Sequence, residues 1–261
     1  MVKKMLPAFA SIATMVLLFG VLSAAKGPLA DDTPVDSSER EKIEQVIADY
    51  LEKNPDVVIR AIQEYQRRQQ MAQIDLYRDY LESDESAPVL GNPNGDVTLI
   101  EFFDFRCGFC RRHFAEVMKL VSEDGNIRFI PKQFPVLDQP DAPPVSRIAA
   151  RAALAAQRQG KYADLHTALL TSEGGLDEDT IYKVAEQTGL DIAQLKKDMR
   201  DPLIEKTIEN TLAIGREMGI QGTPFYIIGD DFVNGARGFD YLKDTVSRVR
   251  DRAAAERAAG R

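Results

Sequence analysis

Apolar residues recur at helical spacing in the first part of the sequence and in continuous runs near position 100. From residue 37 to residue 85 the apolar positions repeat every three or four residues, which predicts two amphipathic helices. Asn54 and Pro55 separate the two helices, since asparagine caps a helix and proline suits a first helical turn. The pattern therefore predicts a helical arm over residues 37–85, preceded by a flexible lead over residues 26–36.

A strand-helix-strand unit follows the arm. The apolar run over residues 97–103 predicts a buried strand, and residues 126–134 predict a second one. The helix between them is expected to run to about Ser122, before the helix-ending pair Asp124 and Gly125. Parallel strands joined by a helix are typical of the α/β class.

The rest of the chain is first helical and then returns to strands. Residues 144–219 have helical patterning almost throughout, which predicts a helical insertion. Residues 224–228 and 232–234 predict two short strands, and the turn sequence between them favours a hairpin. A last helix begins near Phe239. Residues 86–261 are therefore predicted to form one α/β domain with an insertion.

The N-terminus has the three parts of a secretory signal peptide, predicted over residues 1–25. Lys3 and Lys4 precede an apolar stretch that ends near Leu22, and Ser23 and Ala25 fit the small-x-small cleavage rule. An uncleaved membrane anchor is the alternative, because the apolar part is long for a signal peptide. Export would place the protein in an oxidising compartment, where disulfides persist.

Composition narrows the class of partner. The 261 residues carry a formal net charge of −8, so nucleic acid is not predicted as a partner. Hydrophobic residues make up 44% of the chain, which suffices for a core of one ordinary domain.

The apolar stripe of the arm must be buried against another surface. Association of several arms into a homo-oligomer is favoured over packing on the arm's own domain.

Two cysteines occur in the whole chain, and they are three positions apart. Cys107 and Cys110 enclose Gly108 and Phe109 directly behind the first predicted strand. A helix amino terminus at that point would stabilise a thiolate, which makes the first sulfur nucleophilic near neutral pH. Structural zinc is disfavoured because tetrahedral zinc needs four ligands and no second cysteine pair exists. No cofactor and no metal site are predicted.

A second candidate feature is the dipeptide Thr223-Pro224 at the start of a core strand. Proline cannot donate to a strand ladder, so it belongs at a strand's first residue or at an edge. The residues alone leave the isomer of this peptide bond open. A cis bond would hold the Thr223 backbone beside the sulfurs, where an extended client segment could pair with it.

Glu101 is a carboxylate within an apolar strand, six residues before Cys107. Such a group is costly to bury unless it is paired or used, which suggests a proton acceptor that tunes Cys110. A polar residue at a sheet edge is the alternative. Lys132, in the neighbouring predicted strand, is the proposed charge partner of Glu101.

Other residues near the motif are given structural roles. His113 is interpreted as a partly exposed helix residue rather than a thiolate stabiliser, and His166 as an ordinary helix residue. Asp104, Phe105 and Arg106 are expected to shape the surface that meets a client. Phe109 is the aromatic residue most exposed to a client.

The run from Ile100 to Cys110, the distal segment from Gly222 to Phe225, and the helical block between them together resemble the DsbA-like branch of the thioredoxin superfamily. That resemblance implies a thioredoxin-like fold with a helical insertion. It also implies that Cys107 is the nucleophile, that Cys110 resolves the mixed disulfide, and that Pro224 is a cis-proline. The family's buried glutamate and nearby lysine correspond by position to Glu101 and Lys132.

The segment from Tyr50 to Val58 resembles the arm of the ScsC proteins, named for suppression of copper sensitivity. Some members of that family oligomerise through the arm and act as disulfide isomerases. Gly108-Phe109 replaces the Pro-His of DsbA, and Thr223 stands where DsbA has valine. Both departures favour an isomerase over a strong oxidase.

The expected activity is thiol-disulfide exchange with cysteine-containing client proteins in the periplasm, with isomerisation favoured. The Cys107/Cys110 pair is expected to be redox-active as a disulfide, with a membrane redox partner. A DsbA-type oxidase or reductase is the first alternative. The second is a Cu(I)-binding copper-tolerance protein that uses the same thiolates. A non-catalytic holdase that uses the arm is the third.

Overall fold

A computed structural model of the protein describes residues 36–84 and 86–260. The predicted signal peptide, the predicted lead up to residue 35, Glu85 and Arg261 lie outside the described residues. Within the described ranges, no helix is both long enough and apolar enough to cross a membrane. The chain divides into two compact units at Val57 and Val58.

The described part of the first unit is dominated by helix α1 (Ser37–Lys53), as the periodicity predicts. None of its residues is buried. Asn54 ends the helix, because its backbone N–H and its side-chain amide both donate to the Tyr50 carbonyl. The apolar face of α1 is exposed; it consists of Ile43, Val46, Ile47 and Tyr50.

Helix α2 (Pro55–Glu82) changes character along its length. Its first half exposes the apolar side chains Val58, Ile59, Ile62 and Tyr65. In its second half, Ile74 and Leu81 are fully buried in the main hydrophobic core. The predicted boundary after residue 85 is therefore wrong for this helix, because its last turns belong to the core of the second unit.

The carboxyl end of α2 is held by two cations from one strand. Arg128 donates to the Glu82 carbonyl, and the Lys132 ammonium donates to the Tyr80 carbonyl at 2.7 Å. The last carbonyls of a helix lack partners within the helix and carry its partial negative charge. Cationic side chains at this end both satisfy the carbonyls and complement that charge.

A five-stranded sheet forms the centre of the second unit, in the order β1-β3-β2-β4-β5. Strand β2 lies in the middle, parallel to β3 and antiparallel to β4. The predicted strands and hairpin are confirmed, and the two-residue edge strand β1 is an addition. The strands are β1 (Leu90–Gly91), β2 (Val97–Phe103), β3 (Ile127–Gln133), β4 (Phe225–Ile228) and β5 (Asp231–Asn234).

The register decides which side chains share a face of the sheet. Glu101 lies opposite Pro131 on β3 and opposite Tyr226 on β4, and Phe102 lies opposite Lys132. Side chains alternate between faces along a strand, whereas directly opposed residues share one face. Glu101 and Tyr226 are therefore on one face, and Lys132 is on the other.

Helices cover both faces. Helices α3 (Gly108–Asp124) and α9 (Phe239–Ala258) pack on the Tyr226 face, where Val117, Leu120, Leu242 and Val246 form a cluster with the strands. The other face is covered by the end of α2 and by the insertion, which is helical as predicted. Its helices are α4 (Val145–Ala156), the 3-10 turn Gln157–Gln159, α5 (Tyr162–Thr171), α6 (Glu178–Gln187), α7 (Ile192–Asp198) and α8 (Pro202–Glu217).

Arg111 ties the insertion to helix α3. Its guanidinium donates to the Leu169 carbonyl at 2.7 Å and to the Ser172 carbonyl, both at the carboxyl end of α5. The residue follows Cys110 directly. The position of the insertion is thereby coupled to the helix that carries the cysteines.

Candidate active site

The two cysteines lie at the junction of strand β2 and helix α3. Asp104 builds the turn between β2 and α3. Its backbone carbonyl accepts a hydrogen bond from the Cys107 amide at 2.9 Å, and its carboxylate accepts from the Arg106 and Leu137 amides. Cys107 is the N-cap of α3, and its Sγ accepts from the Cys110 amide at 3.4 Å. The sulfur therefore occupies the place of a capping oxygen at the positive end of a helix.

This placement favours the thiolate of Cys107. The pKa of Cys107 is lowered from 9.0 to about 5, chiefly by a hydrogen bond from the Cys110 side chain. Further hydrogen bonds from Thr223 and from the Cys110 and Phe109 amides also lower it, and together these outweigh burial. A sulfur with so low a pKa is ionised at neutral pH, which suits the nucleophilic role that the sequence predicts for Cys107.

Cys110 has the opposite character. It is 2% exposed, and burial raises the pKa of its thiol well above the ordinary value. Its hydrogen bond to Cys107 and the negative charges of Glu101 and Cys107 raise the pKa further. The pair is thus asymmetric, with a thiolate at the helix terminus and a protonated thiol one turn inside.

Thr223 and Pro224 lie directly beside the Cys107 sulfur. When protonated, Sγ donates to the Thr223 carbonyl at 3.3 Å, and the Thr223-Pro224 peptide bond is cis. An open concavity adjoins this point. It is lined by Gly219, Gln221, Gly222, Thr223, Pro224, Asn234 and Gly235.

Phe109, between the two cysteines in the sequence, is 60% exposed, as predicted. The Arg112 guanidinium lies 4.7 Å from the centre of its ring, within the range of a cation-π contact. Arg106 is exposed nearby, whereas Asp104 and Phe105 are buried. The interpretation of Asp104 and Phe105 as parts of a client surface is therefore wrong, because both are buried and the Asp104 carboxylate is used to build the turn.

Glu101 is buried in the middle of the sheet, which excludes the sheet-edge alternative. Its side chain is 3% exposed, and burial is the main reason why its pKa is raised from 4.5 to about 8. The Cys107 charge raises the pKa further, and a hydrogen bond from Tyr226 opposes the shift. A carboxyl that still holds its proton near neutral pH, beside Cys110, is suited to exchange protons with that sulfur.

Lys132 is not the charge partner of Glu101, and that part of the sequence interpretation is wrong. The ammonium lies 3.4 Å from Asp84 Oδ2 and 4.3 Å from the centre of the Tyr80 ring. The two residues lie on opposite faces of the sheet, because Lys132 is in register with Phe102. Burial lowers the pKa of Lys132 to about 8, although Asp84 opposes the shift.

The two histidines are both buried, which the sequence analysis did not predict. His113 is 5% exposed, and its Nδ1 lies 2.9 Å from the Tyr226 hydroxyl. His166 is fully buried, and desolvation lowers its pKa to about 3. The aromatic rings of Phe103, Phe105, Phe114 and Tyr162 surround it.

Tyr226 is the site residue that the sequence analysis missed. It is fully buried and hydrogen-bonds Glu101 on one side and His113 on the other. A tyrosine in an apolar strand usually needs a partner for its hydroxyl, and this was the available signal. The partner could be named only with the register of β4 against β2.

The described side chains offer no group of three or more His, Cys, Asp or Glu residues arranged to hold a metal ion. The structure brings together the two sulfurs and the polar side chains that contact them. Together they can form, hold and release a disulfide with another sulfur.

Two families match the chain. Residues 83–248 match the family described as "Thioredoxin". Residues 39–72 match the family described as "Copper resistance protein ScsC N-terminal domain". The first match covers the sheet, the cysteine pair and the insertion, and the second covers most of α1 and about the first two thirds of α2.

Solved structures with the same fold include several redox proteins. A thioredoxin-like oxidoreductase from Silicibacter pomeroyi DSS-3 is 42% identical, over 67% of this chain and 98% of that chain, with a TM-score of 0.63. The thiol-disulfide exchange protein alpha-DsbA2 from Wolbachia pipientis is 30% identical, over 71% and 98%, with a TM-score of 0.65. The catalytic domain of Proteus mirabilis ScsC is 26% identical, over 69% and 97%, with a TM-score of 0.62.

Curated relatives include longer proteins. The Na(+)/H(+) antiporter NhaA 1 of Salinispora arenicola is 29% identical over 167 residues, which is 64% of this chain. This chain spans only 23% of the length of that relative. The similarity therefore concerns one part of the antiporter chain.

Alkylation by iodoacetamide should show the low pKa of Cys107. Only the thiolate reacts, so the rate should fall as the pH falls through about 5. The reduced protein is mixed with reagent over a pH series, and labelled sulfur is located by mass spectrometry. The Cys107→Ser variant is the control, since the remaining Cys110 should stay unlabelled. A midpoint near the value of ordinary thiols, about 8.5, would contradict the assignment.

The substitution Glu101→Gln should stabilise the reduced protein increasingly as the pH rises. The carboxyl ionises near 4.5 in the unfolded chain but near 8 in the folded one, so the wild type loses stability between these pH values. The variant lacks that loss, and its advantage should grow to about 3–5 kcal/mol by pH 8. Urea unfolding at several pH values measures it.

The exposed substitution Glu123→Gln on α3 is the matched control for the chemical change. A difference between Glu101→Gln and wild type that stays constant from about pH 5 to pH 8 would contradict a buried, protonated carboxyl.

Proposed function

The chain belongs to the thioredoxin family, as a DsbA-like member with an ScsC-type N-terminal segment, and we propose that it is a thiol-disulfide oxidoreductase that acts on cysteine-containing client proteins. The resemblance and the fold class that the sequence predicted are thereby confirmed. The observation that carries the proposal is the asymmetry of the pair, with a Cys107 thiolate pKa of about 5 beside a protonated Cys110.

The first step is attack by Cys107. Its thiolate attacks one sulfur of a client disulfide, the Cys107-client bond forms, and the second client sulfur leaves as a thiolate. Cys107 is poised for this attack at the edge of the concavity around Thr223 and Pro224. An extended client segment is expected to lie there, and the exposed Phe109 ring is proposed to contact it.

The mixed disulfide has two fates. In reduction, Glu101 gives up its own proton and accepts that of Cys110, whose sulfur attacks Cys107 Sγ. The client leaves as a thiolate and the Cys107-Cys110 disulfide forms. In isomerisation, a client thiolate attacks the mixed disulfide instead, a different client disulfide forms, and Cys107 returns as the thiolate. Oxidation of a client is the reverse of reduction.

Isomerisation is favoured by two features of this chain. Gly108 and Phe109 supply no histidine between the sulfurs, so the loop lacks an additional cation that would hold Cys107 strongly as a thiolate. The exposed apolar faces of α1 and of the first half of α2 provide a surface on which copies of the chain associate. Several active sites in one oligomer suit the repeated attack that isomerisation requires.

The proposed compartment is the periplasm, reached through the signal peptide predicted over residues 1–25. The Salmonella enterica serovar Typhimurium relative is described as a periplasmic thioredoxin-like protein, at 27% identity. Disulfides persist in that compartment, and an isomerase there needs a reductant. A membrane redox partner is the proposed source.

A refolding assay tests the isomerase assignment. The reduced protein should restore native pairing and activity to a client with scrambled disulfides, because Cys107 can enter and leave mixed disulfides. The Cys107→Ser variant should be inactive, while Cys110→Ser should retain part of the isomerase activity. If the wild-type protein leaves recovery of the native client at the uncatalysed rate, the isomerase assignment is wrong.

Titration with Cu(I) against a competing chelator tests the copper alternative suggested by the ScsC-type segment.

The oligomer is tested on the apolar face of α1. The double substitution Ile43→Asp with Ile47→Asp should place charge on the associating surface. The mass measured by light scattering should then fall to that of one chain. Glu41→Gln with Glu44→Gln changes the same helix outside that face and should leave the wild-type mass. Equal masses for the two double variants would contradict the role of the face.

A further inference from the structure

A line of polar side chains continues from Glu101 toward the surface on the α3 side of the sheet. The Glu101 carboxyl hydrogen-bonds the Tyr226 hydroxyl, which lies 2.9 Å from His113 Nδ1. His113 Nε2 lies 3.4 Å from Glu116 Oε2. Each residue in this line can both accept and release a proton.

The line runs from the interior to solvent. Glu101 and His113 are 3% and 5% exposed, and Tyr226 is fully buried. The Glu116 side chain, in contrast, is 46% exposed. His113 and Glu116 are three residues apart on α3, the helix that also carries Cys110.

One ring nitrogen in this line of side chains lacks a hydrogen-bond partner. His113 Nε2 is buried and has no hydrogen-bond partner in the structure. It nonetheless lies within ion-pair distance of the Glu116 carboxylate. Burying a ring nitrogen without a hydrogen-bond partner costs free energy. A nitrogen in this position is available to gain and lose a proton during turnover.

The chemistry of the pair requires proton movement at a place that water reaches poorly. Cys110, at 2% exposure, must lose its proton before it attacks the mixed disulfide, and Glu101 beside it is also buried. Glu101 holds a proton of its own, which must leave the interior before this group can accept the proton of Cys110. The Tyr226 hydroxyl is the neighbouring group that connects this carboxyl to a side chain near the surface.

We propose that Tyr226, His113 and Glu116 carry protons between Glu101 and solvent while Cys110 resolves the mixed disulfide. This inference rests on the proposed thiol-disulfide exchange. During reduction of a client, Glu101 passes its carboxyl proton to the Tyr226 oxygen, Tyr226 passes its own to His113 Nδ1, and the Glu101 carboxylate then accepts the Cys110 proton. His113 Nε2 releases a proton to Glu116 and from there to water. Return of the hydroxyl and ring protons to their starting positions leaves one proton transferred and no electron moved.

The three residues act through Glu101, and in the described part of the chain none of them hydrogen-bonds a cysteine sulfur. Their loss should therefore slow resolution by Cys110 without slowing attack by Cys107. Loss of a positioned proton acceptor typically costs 10²-fold or more, and loss of its connection to solvent is expected to cost about tenfold.

Single-turnover kinetics of the full-length protein separate the two steps. Reduced protein is mixed with a disulfide-linked peptide, quenched with acid at set times, and analysed by mass spectrometry for mixed disulfide and for oxidised protein. Tyr226→Phe removes the hydroxyl and keeps the ring, and His113→Gln is the second variant. Tyr80→Phe is the matched control, since its hydroxyl bonds Thr211 and the Thr207 carbonyl away from the sulfurs.

The expected result is a transient accumulation of mixed disulfide in Tyr226→Phe and His113→Gln. Their resolution rate should fall about tenfold, with a solvent deuterium isotope effect different from that of wild type, while attack stays within about twofold. Tyr80→Phe should match wild type in both steps.

Three outcomes would overturn the relay. Wild-type resolution rates in both variants would show that Tyr226 and His113 move no proton. An equal loss in attack and resolution would show a structural role only. Wild-type protein that forms no mixed disulfide would overturn the proposed function itself, and the relay with it.

Discussion

The site depends on one negative charge held on Cys107 Sγ at the amino end of α3, while the groups around it are kept neutral. Backbone amides and hydrogen bonds from Cys110 and Thr223 stabilise the charge. Burial works in the other direction on Cys110 and Glu101, which retain their protons. The same turn of chain thus makes one of two chemically identical thiols a thiolate and keeps the other protonated, because one is a helix cap and the other is one turn inside.

The framework of the fold was readable from the sequence because each main element has a strong local pattern. The apolar run over residues 97–103 is a strand with those bounds, and the hairpin and helical insertion lie where expected. The edge strand Leu90–Gly91 was missed, since two residues carry no periodicity. The end of α2 was assigned to the arm, because an amphipathic pattern shows that a helix has an apolar face but does not identify what covers it.

The site was predictable only where residues are close in sequence or where a resemblance joins distant segments. The spacing of Cys107 and Cys110 suggested their chemistry, and the resemblance brought Pro224 to them. The pairing of Glu101 with Lys132 failed because a shift of one residue in register moves a side chain to the opposite face. Tyr226 was missed and His113 was wrongly interpreted as partly exposed, since their contact depends on the β2-β4 register and the placement of α3.

The hydrogen bonds between the carboxyl end of α2 and side chains of strand β3 couple this helix mechanically to the sheet. Arg128 and Lys132, two pleats apart on one strand, grip its terminal carbonyls, while its amino-terminal half presents apolar side chains outward. Strand β3 adjoins β2, which ends in the turn that aims Cys107. A force on the outer half of α2 is therefore transmitted through β3 to the part of the sheet that lies next to the sulfurs.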